Sequence, residues 1–505
     1  MEADSIKSSL LETKQEPSVE DCHRNSSHHS LINEIWLESK KLWLIAGPVI
    51  FTSICFYSMG AVTQAFAGHL GNIELAAVTI NDAVIGGLAM GIMVGMGSAL
   101  ETLCGQAVGT GDIQMLSVYM QRSWIISIAT AIVLTPLYIF AGLILKAFGQ
   151  SEDISQVTQK FCIWMLPQLL AFAIYFPVQK FLQAQSKVMA MAWISVIGLI
   201  LHIFLCWICI VKLGWGLAGA AVSLNISWWM ITLGQLIYVA CGPCSDAWRG
   251  LSMLAFKGLG AFVKLSMASA VMLCLESWYF TVLIVLTGNL KNPTVAIDSM
   301  SICMTVLGWQ IMIPMGFNAA ISVRVSNELG AGCPKAAKFS TVVVSFTSMV
   351  IGILSIGVIY ITKDYFALLF TDSQEVIKAS SKFSTLLALT ILLYSLQIVL
   401  SGVAVGSGWQ ALVAYVNIGC YYIVGMPLGF VFGYKLNLEG QGIWTGMLLG
   451  VVMQTLILTI ITYRTDWIKE ASQAEDRIRI WGGSGGHGKQ KEQEQENGEH
   501  TPFHV

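Results

Sequence analysis

Residues 188–211 read VMAMAWISVIGLILHIFLCWICIV, a run without a single Asp, Glu, Lys or Arg. An α-helix needs about 20 apolar residues to cross the hydrocarbon core of a bilayer. A transmembrane β-strand would instead be about 10 residues long, with alternating apolar and polar side chains. This continuous stretch therefore predicts a membrane-spanning helix.

The composition of the whole chain agrees with this stretch. Of its 505 residues, 55% are hydrophobic and 11% are charged, and the mean hydropathy is +0.68. Average soluble proteins carry about 25% charged residues, so the chain has too few charges to cover the surface of a water-soluble fold. The formal net charge of −2 offers no basic surface for nucleic acid.

Twelve apolar stretches are long enough to cross a bilayer. The predicted fold is therefore an all-α polytopic membrane protein with 12 transmembrane helices. The stretches lie near residues 42–66, 75–100, 123–146, 161–182, 188–211, 216–240, 265–288, 294–320, 340–362, 383–405, 411–434 and 441–462.

An internal repeat divides the spans into two sets of six. The segment from Gly95 to Gly111 matches the segment from Gly316 to Gly332 at an offset of 221, and Gln106 corresponds to Asn327. Two parallel halves related by an axis along the membrane normal are a known plan for transporters. The predicted organisation is a polar tail at 1–40, a first lobe at 41–241, a linker at 242–264, a second lobe at 265–463 and a polar, disordered tail at 464–505.

The distribution of Lys and Arg indicates the orientation. Nine lie in the loops on the side of the chain ends, eight lie in the opposite loops, and four more flank the ends, which makes thirteen against eight. Because cytoplasmic loops carry the excess of Lys and Arg, we expect both termini in the cytosol.

One carboxylate lies deep within the predicted spans. Glu276 is eleven residues from Leu265 and twelve from Gly288, near the bilayer midplane. A charge there costs at least about 2.5 kcal/mol unless it is solvated, paired or protonated. We predict that Glu276 exchanges a proton or another cation. The alternative is a side chain that only hydrogen-bonds neighbouring helices together.

Three further acidic residues lie closer to span ends. Asp298 shares one helical face with Ser301 and Thr305, and it either assists the deeper glutamate or lies among lipid headgroups. We expect Asp82 and Glu101 to be solvated at the membrane interface.

Amide and aromatic side chains within the spans are candidates for binding a solute. Aromatic rings stack on planar molecules and attract cations through their faces, although packing between helices explains the same residues. The predicted contacts are Gln64, Asn81, Trp278, Tyr279, Tyr394, Gln397 and Asn417. No metal-ligand spacing, nucleotide-binding motif or enzyme signature is found, so the sequence predicts no enzyme, no metal and no cofactor.

Several longer motifs resemble plant MATE transporters (multidrug and toxic compound extrusion). The resemblance covers about residues 40–470, and within the family it is strongest to the transparent-testa flavonoid branch, through CLESWY at 274–279 and LQAQS at 182–186. The family motifs are GHLG at 68–71, GQAVG at 105–109, SNELGAG at 326–332, SGVAVGSGWQ at 401–410, AYVN at 414–417 and GQGIWTGM at 440–447.

The resemblance implies a V-shaped pair of six-helix lobes that opens alternately to each side of the membrane. Plant members use a proton gradient to drive organic solutes out of the cytosol, and the family's seventh-span glutamate falls on Glu276. Other branches carry a Glu in the eighth span, where this chain has Asp298 two places further on, and an Asp where it has Tyr394. The resemblance therefore implies proton coupling through Glu276, with Asp298 assisting.

The implied function is proton-coupled antiport of a flavonoid glycoside, an anthocyanin or an alkaloid from the cytosol into the vacuole. The expected partners are the solute, protons and the bilayer, and the expected state is a monomer in the vacuolar membrane. Two alternatives stay open: a channel for small anions such as chloride, and efflux of xenobiotics or organic cations at the plasma membrane.

Overall fold

The computed structural model describes residues 31–242, 244, 247–248, 250–287 and 293–481, and the described chain is helical. Four short π-helical segments, Asn81–Ile85, Trp207–Lys212, Ile418–Gly425 and Val431–Lys435, lie between or directly after the described α-helices. The helices are α1 Leu31–Leu70, α2 Asn72–Ile80, α3 Gly86–Gly109, α4 Ile113–Ile139, α5 Ala141–Ala147, α6 Glu152–Trp164, α7 Leu166–Ala184, α8 Val188–Cys206, α9 Gly216–Cys241, α10 Leu259–Thr287, α11 Pro293–Gly330, α12 Pro334–Thr362, α13 Gln374–Ser407, α14 Gln410–Asn417, α15 Met426–Phe430, α16 Glu439–Arg464 and α17 Trp467–Trp481.

The predicted class of fold is confirmed. Eleven helical segments in the described residues are long and apolar enough to cross a membrane, and a bent pair supplies a twelfth. The pair is α6 and α7, which meet at an angle of 47°. Pro167 at the start of α7 cannot donate a backbone hydrogen bond to the preceding turn, which explains the break within the predicted span 161–182.

The predicted tails and linker differ from the structure. Helix α1 begins at Leu31, inside the tail predicted at 1–40, and α10 begins at Leu259, inside the predicted linker. Helix α17 occupies residues 467–481 of the tail predicted to be disordered. It is ordered because one of its faces packs against the bundle: Trp467, Ala474 and Ile478 are buried. Residues 1–30 and 482–505 lie outside the described residues, as do the linker residues Asp246 and Arg249.

The bundle has two ends. The terminal face carries the start of α1, the end of α16 and the turns that follow α3 and α11; the opposite face carries the start of α2 and the end of α10. We call residues 31–242 the first half and residues 250–481 the second half. The hydrogen bonds and salt bridges described between the halves all involve residues close to the terminal face, so the bundle is sealed there.

The repeated segments pack against each other within this seal. A Cβ atom on Gly109 would collide with the carbonyl oxygen of Asn327, and one on Gly330 would collide with that of Gln106. These four residues are related by the same offset of 221 positions, so the two contacts are reciprocal. Reciprocal contacts are what a two-fold axis between similar halves produces, and they support the predicted relation between the halves.

Candidate functional site

Glu276 lies in the membrane-spanning part of α10, and its side chain is half-buried. The amide nitrogen Nε2 of Gln397, on α13, donates a hydrogen bond to Glu276 Oε1 at 2.5 Å. The same amide group donates to Ser401 Oγ, one turn further along α13, at 3.3 Å. The structure therefore joins two predicted site residues that are 121 positions apart in the sequence.

The partner of Glu276 is neutral. In the described part of the chain, no Lys, Arg or His side chain forms a salt bridge with Glu276. The other amide atom of Gln397, Oε1, is buried without a hydrogen bond. A side-chain amide can donate to a carboxylate through nitrogen and, after rotation, accept from a carboxylic acid through oxygen. This pair can thus accommodate Glu276 with or without a proton.

A layer of tyrosine and amide groups lies beside this pair. Tyr394 and Tyr421 interact electrostatically with each other and with Glu276. Tyr421 Oη donates to Gln454 Oε1 at 2.5 Å, and Gln454 Nε2 donates to Asn417 Oδ1 at 2.6 Å. The layer connects α10, α13, α16 and the π-helical segment Ile418–Gly425.

Tyr421 and Tyr422 of this π-helical segment both contact α10. The ring of Tyr279 stacks on Tyr421 with centroids 4.3 Å apart and an interplanar angle of 11°. The Tyr422 hydroxyl donates to the carbonyl oxygen of Leu275, the residue before Glu276, at 2.9 Å. Because π-helical turns often occur at functional sites, we regard this segment as part of the candidate site.

Asp82 was expected to be solvated at the membrane interface, but in the structure it is half-buried and bound by other side chains. It lies in the π-helical turn Asn81–Ile85, ten residues after the start of α2. Gln64 Nε2 donates to Asp82 Oδ2 at 3.2 Å, and Asn81 Nδ2 donates to Oδ1 at 3.2 Å. A Cβ atom on Gly87 would lie 2.6 Å from the carbonyl oxygen of Asp82, so this turn depends on a glycine at that position.

Glu101, which was also expected to be solvated at the membrane interface, is buried instead. It is only 2% exposed, and its carboxylate pairs with Lys180 Nζ of α7 at 2.5 Å. Its charge is balanced by Lys180, and we assign it to the packing of α3 on α7.

Comparison with known proteins identifies the family. The sequence profile of the MatE family matches residues 48–208 and 268–431. The chain is 56% identical to Protein DETOXIFICATION 33 of Arabidopsis thaliana over 475 residues. The aligned region covers 94% of this chain and 98% of that protein. It is 54% identical to Protein DETOXIFICATION 32 of the same plant, and that alignment covers 90% of this chain and 89% of that protein. The chain belongs to the MATE family.

The solved structures agree with this assignment. The crystal structure of the eukaryotic MATE transporter AtDTX14 matches with a TM-score of 0.84 at 33% identity, and the match covers 88% of this chain and 99% of that one. A mutant of the Vibrio cholerae MATE transporter VcmN shares the fold with a TM-score of 0.79 at 16% identity, over 86% of this chain and 100% of that one. MATE proteins form a family of efflux antiporters, so this chain is a multi-pass membrane transporter and not an enzyme.

Most of the predicted substrate contacts of this MATE transporter have buried side chains. Five of them are at most 3% exposed, and they interact with other parts of the protein. Contact with a solute stays a prediction for all seven. Gln64 is half-buried beside Asp82, and Trp278 is 47% exposed. The five buried residues are Asn81, Tyr279, Tyr394, Gln397 and Asn417.

Asp298 stands apart from these clusters. It is exposed in the second turn of α11, near the opposite face. Within the described residues, no hydrogen bond or salt bridge joins it to Glu276. Its predicted role in coupling therefore stays a prediction.

Sequence reasoning missed Tyr421, Gln454 and Ser401. A usable signal was present, because Asn417 precedes Tyr421 and Gln397 precedes Ser401 by four residues in apolar spans. Polar residues one turn apart lie on the same face of a helix.

Proposed function

We propose that this MATE transporter is a proton-coupled antiporter that moves an organic solute from the cytosol into the vacuole. The observation that carries the proposal is Glu276, a half-buried carboxylate within a membrane span whose described partner is the neutral amide of Gln397. A carboxylate without a basic partner at this depth favours an added proton. The family supplies the antiport activity, and Glu276 supplies the group that couples it to protons.

Because the bundle is closed at the terminal face, we infer that Glu276 exchanges its proton with the opposite side of the membrane in this state. A Cβ atom on Gly95 would collide with Ala270 Cα, and Glu276 follows six residues beyond that contact, toward the opposite face. With the terminal face in the cytosol, this state lets Glu276 take a proton from the acidic vacuole. Protonation releases the solute there, and loss of the proton to the cytosol resets the transporter. Asp298, exposed near the opposite face, assists as a carboxylate on the proton's path.

The proposed solutes are flavonoid glycosides, anthocyanins and alkaloids. Exposed indole rings suit such molecules, because their flat faces stack on planar rings and attract cations. Trp278 is 47% exposed and Trp309 is 43% exposed. Trp309 also contacts Tyr57 of the first half, with ring centroids 4.8 Å apart, so both halves contribute aromatic side chains.

The decisive variant is Glu276→Gln, which keeps the shape of the side chain and removes its titratable group. In vesicles whose interior is acidified by a pH jump, we expect loss of pH-driven uptake with normal expression and targeting. Glu375→Gln, at an exposed position in the same half, is the matched control and should transport like the wild type. Uptake by Glu276→Gln equal to the wild type would refute the coupling role.

The same vesicles distinguish the substrates and the alternative functions. The panel contains flavonoid glucosides, nicotine-like alkaloids and tetraethylammonium, each tested with and without the pH gradient. Antiport predicts accumulation that requires the gradient. An anion channel would instead show currents in patch-clamp recordings that reverse at the chloride equilibrium potential and do not depend on the proton gradient.

A further inference from the structure

The first half contains a carboxylate at a depth similar to that of Glu276. Asp82 lies ten residues from the start of α2, and Glu276 lies eleven residues before the end of α10. Both helix ends are at the opposite face. At about 1.5 Å per residue, each carboxylate is about 15 Å from that end of its helix.

The two carboxylates are also held in the same manner. Gln64, on the neighbouring α1, donates a side-chain N–H to Asp82, as Gln397 on α13 donates to Glu276. Asn81 supplies a second N–H to Asp82, and the thiol of Cys162 donates to Asn81 Oδ1 at 3.3 Å. These neutral donors orient the carboxylate of Asp82 without balancing its charge.

The surroundings of Asp82 contain no described cation. No salt bridge to Asp82 is formed within the described ranges. The titratable groups that interact with it are Tyr138 of α4 and Cys162 of α6, which are ordinarily neutral at pH 7, while α1 contributes the neutral Gln64. A lone charge in a membrane span is costly, and the half-buried side chain remains accessible to a proton.

We propose that Asp82 is a second proton-binding group, so that one carboxyl group in each half exchanges a proton during the transport cycle. Like Glu276, Asp82 takes a proton from water at the opposite face and returns it to water when the terminal face opens. This proposal rests on proton coupling as the proposed function, and it extends the coupling chemistry from the second half to both halves.

Infrared difference spectroscopy of the full-length protein in lipid tests Asp82 without any transported solute. The probe is the proton itself: a step from neutral to acidic pH produces a C=O stretching band for each buried carboxyl group that becomes protonated. We expect two such bands in the wild type. Asp82→Asn should remove one of them and Glu276→Gln the other. Asp153→Asn, at an exposed position in the same half, should keep both.

Unchanged carboxyl bands in Asp82→Asn would overturn this proposal, whatever Glu276→Gln shows. If Glu276→Gln keeps both carboxyl bands, that result would count against the proposed function, independently of the result for Asp82. A second variant covers the case in which Asp82→Asn does not fold. Gln64→Leu keeps the carboxyl group and removes a donor, so it should shift only the band assigned to Asp82; an unshifted spectrum would also contradict the proposal.

Discussion

At the scale of single residues, the candidate site is built from neutral hydrogen-bonding partners. Gln397 binds Glu276, Gln64 binds Asp82, and Tyr421 binds Gln454. Neutral partners leave the carboxyl groups free to change their charge, whereas a basic partner would hold them ionised. The contrast is Glu101, whose charge is balanced by Lys180.

Removal of the Tyr421 hydroxyl should destabilise the protein. Tyr421→Phe leaves the buried Gln454 Oε1 without its donor, which costs about 1–3 kcal/mol. We expect a lower temperature of unfolding in detergent, followed by intrinsic fluorescence. Tyr415→Phe removes a hydroxyl from a side chain that is 75% exposed, and it should unfold at the wild-type temperature. Equal unfolding temperatures for the two variants would show that the tyrosine layer contributes no stability.

At the scale of elements, glycines bring the repeated helices into contact. The backbones at Gly109 and Gly330 approach each other's partner segments so closely that a Cβ atom would meet a carbonyl oxygen. Small residues permit this close approach of membrane helices. The repeat was visible in the sequence, but the mutual contact of its two copies was not, because an offset between similar segments carries no information about distance.

Addition of a methyl group at this contact tests the packing. Gly330→Ala places a Cβ atom against the carbonyl oxygen of Gln106, and overpacking of this kind costs about 1–3 kcal/mol. Gly357→Ala is the matched control, because no atom lies within 4 Å of its added Cβ and Ala favours a helix by up to about 1 kcal/mol. Thermal unfolding should therefore shift in opposite directions for the two variants. A shift of Gly330→Ala to higher temperature would contradict the close contact.

At the scale of the whole molecule, an ion-pair network closes the terminal face. Arg324 of the second half binds Glu38 of the first half at 2.9 Å and Glu328 at 2.7 Å. Ser340 also donates to Glu38, at 2.6 Å. The alternation of a transporter requires this network to break whenever the terminal face opens.

Glu38→Gln should weaken the closed state. Breaking a buried ion pair costs about 3–5 kcal/mol, and we expect less here because Glu328 still binds Arg324. Hydrogen–deuterium exchange should become faster in residues 99–110 and 322–332. Glu152→Gln removes an exposed ion pair with Lys146 at the opposite face, of a kind that contributes at most about 1 kcal/mol, and should leave that exchange unchanged. Exchange at the wild-type rate in Glu38→Gln would exclude the network as a lock.

The sequence by itself determined the membrane class, the number of spans and the repeat, and it singled out Glu276 as the candidate for proton coupling. These properties depend on composition along one segment: a lipid-facing helix must be apolar, and a rare carboxylate inside it stands out wherever its partners lie. Helix ends were less predictable, because α1 and α17 extend beyond the apolar stretches, and α17 does so by packing one face against the bundle.

Only the tertiary structure decided which polar groups act together. Gln64 and Gln397 are ordinary amides in the sequence, and each can serve a solute, a neighbouring helix or a carboxylate. Their roles followed from the direction of the side chains, which brings Gln397 to Glu276 and Gln64 to Asp82. For the same reason two acidic residues that looked alike beside their span ends proved different. Asp82 is bound by the neutral amides of Gln64 and Asn81, whereas Glu101 forms a buried salt bridge with Lys180.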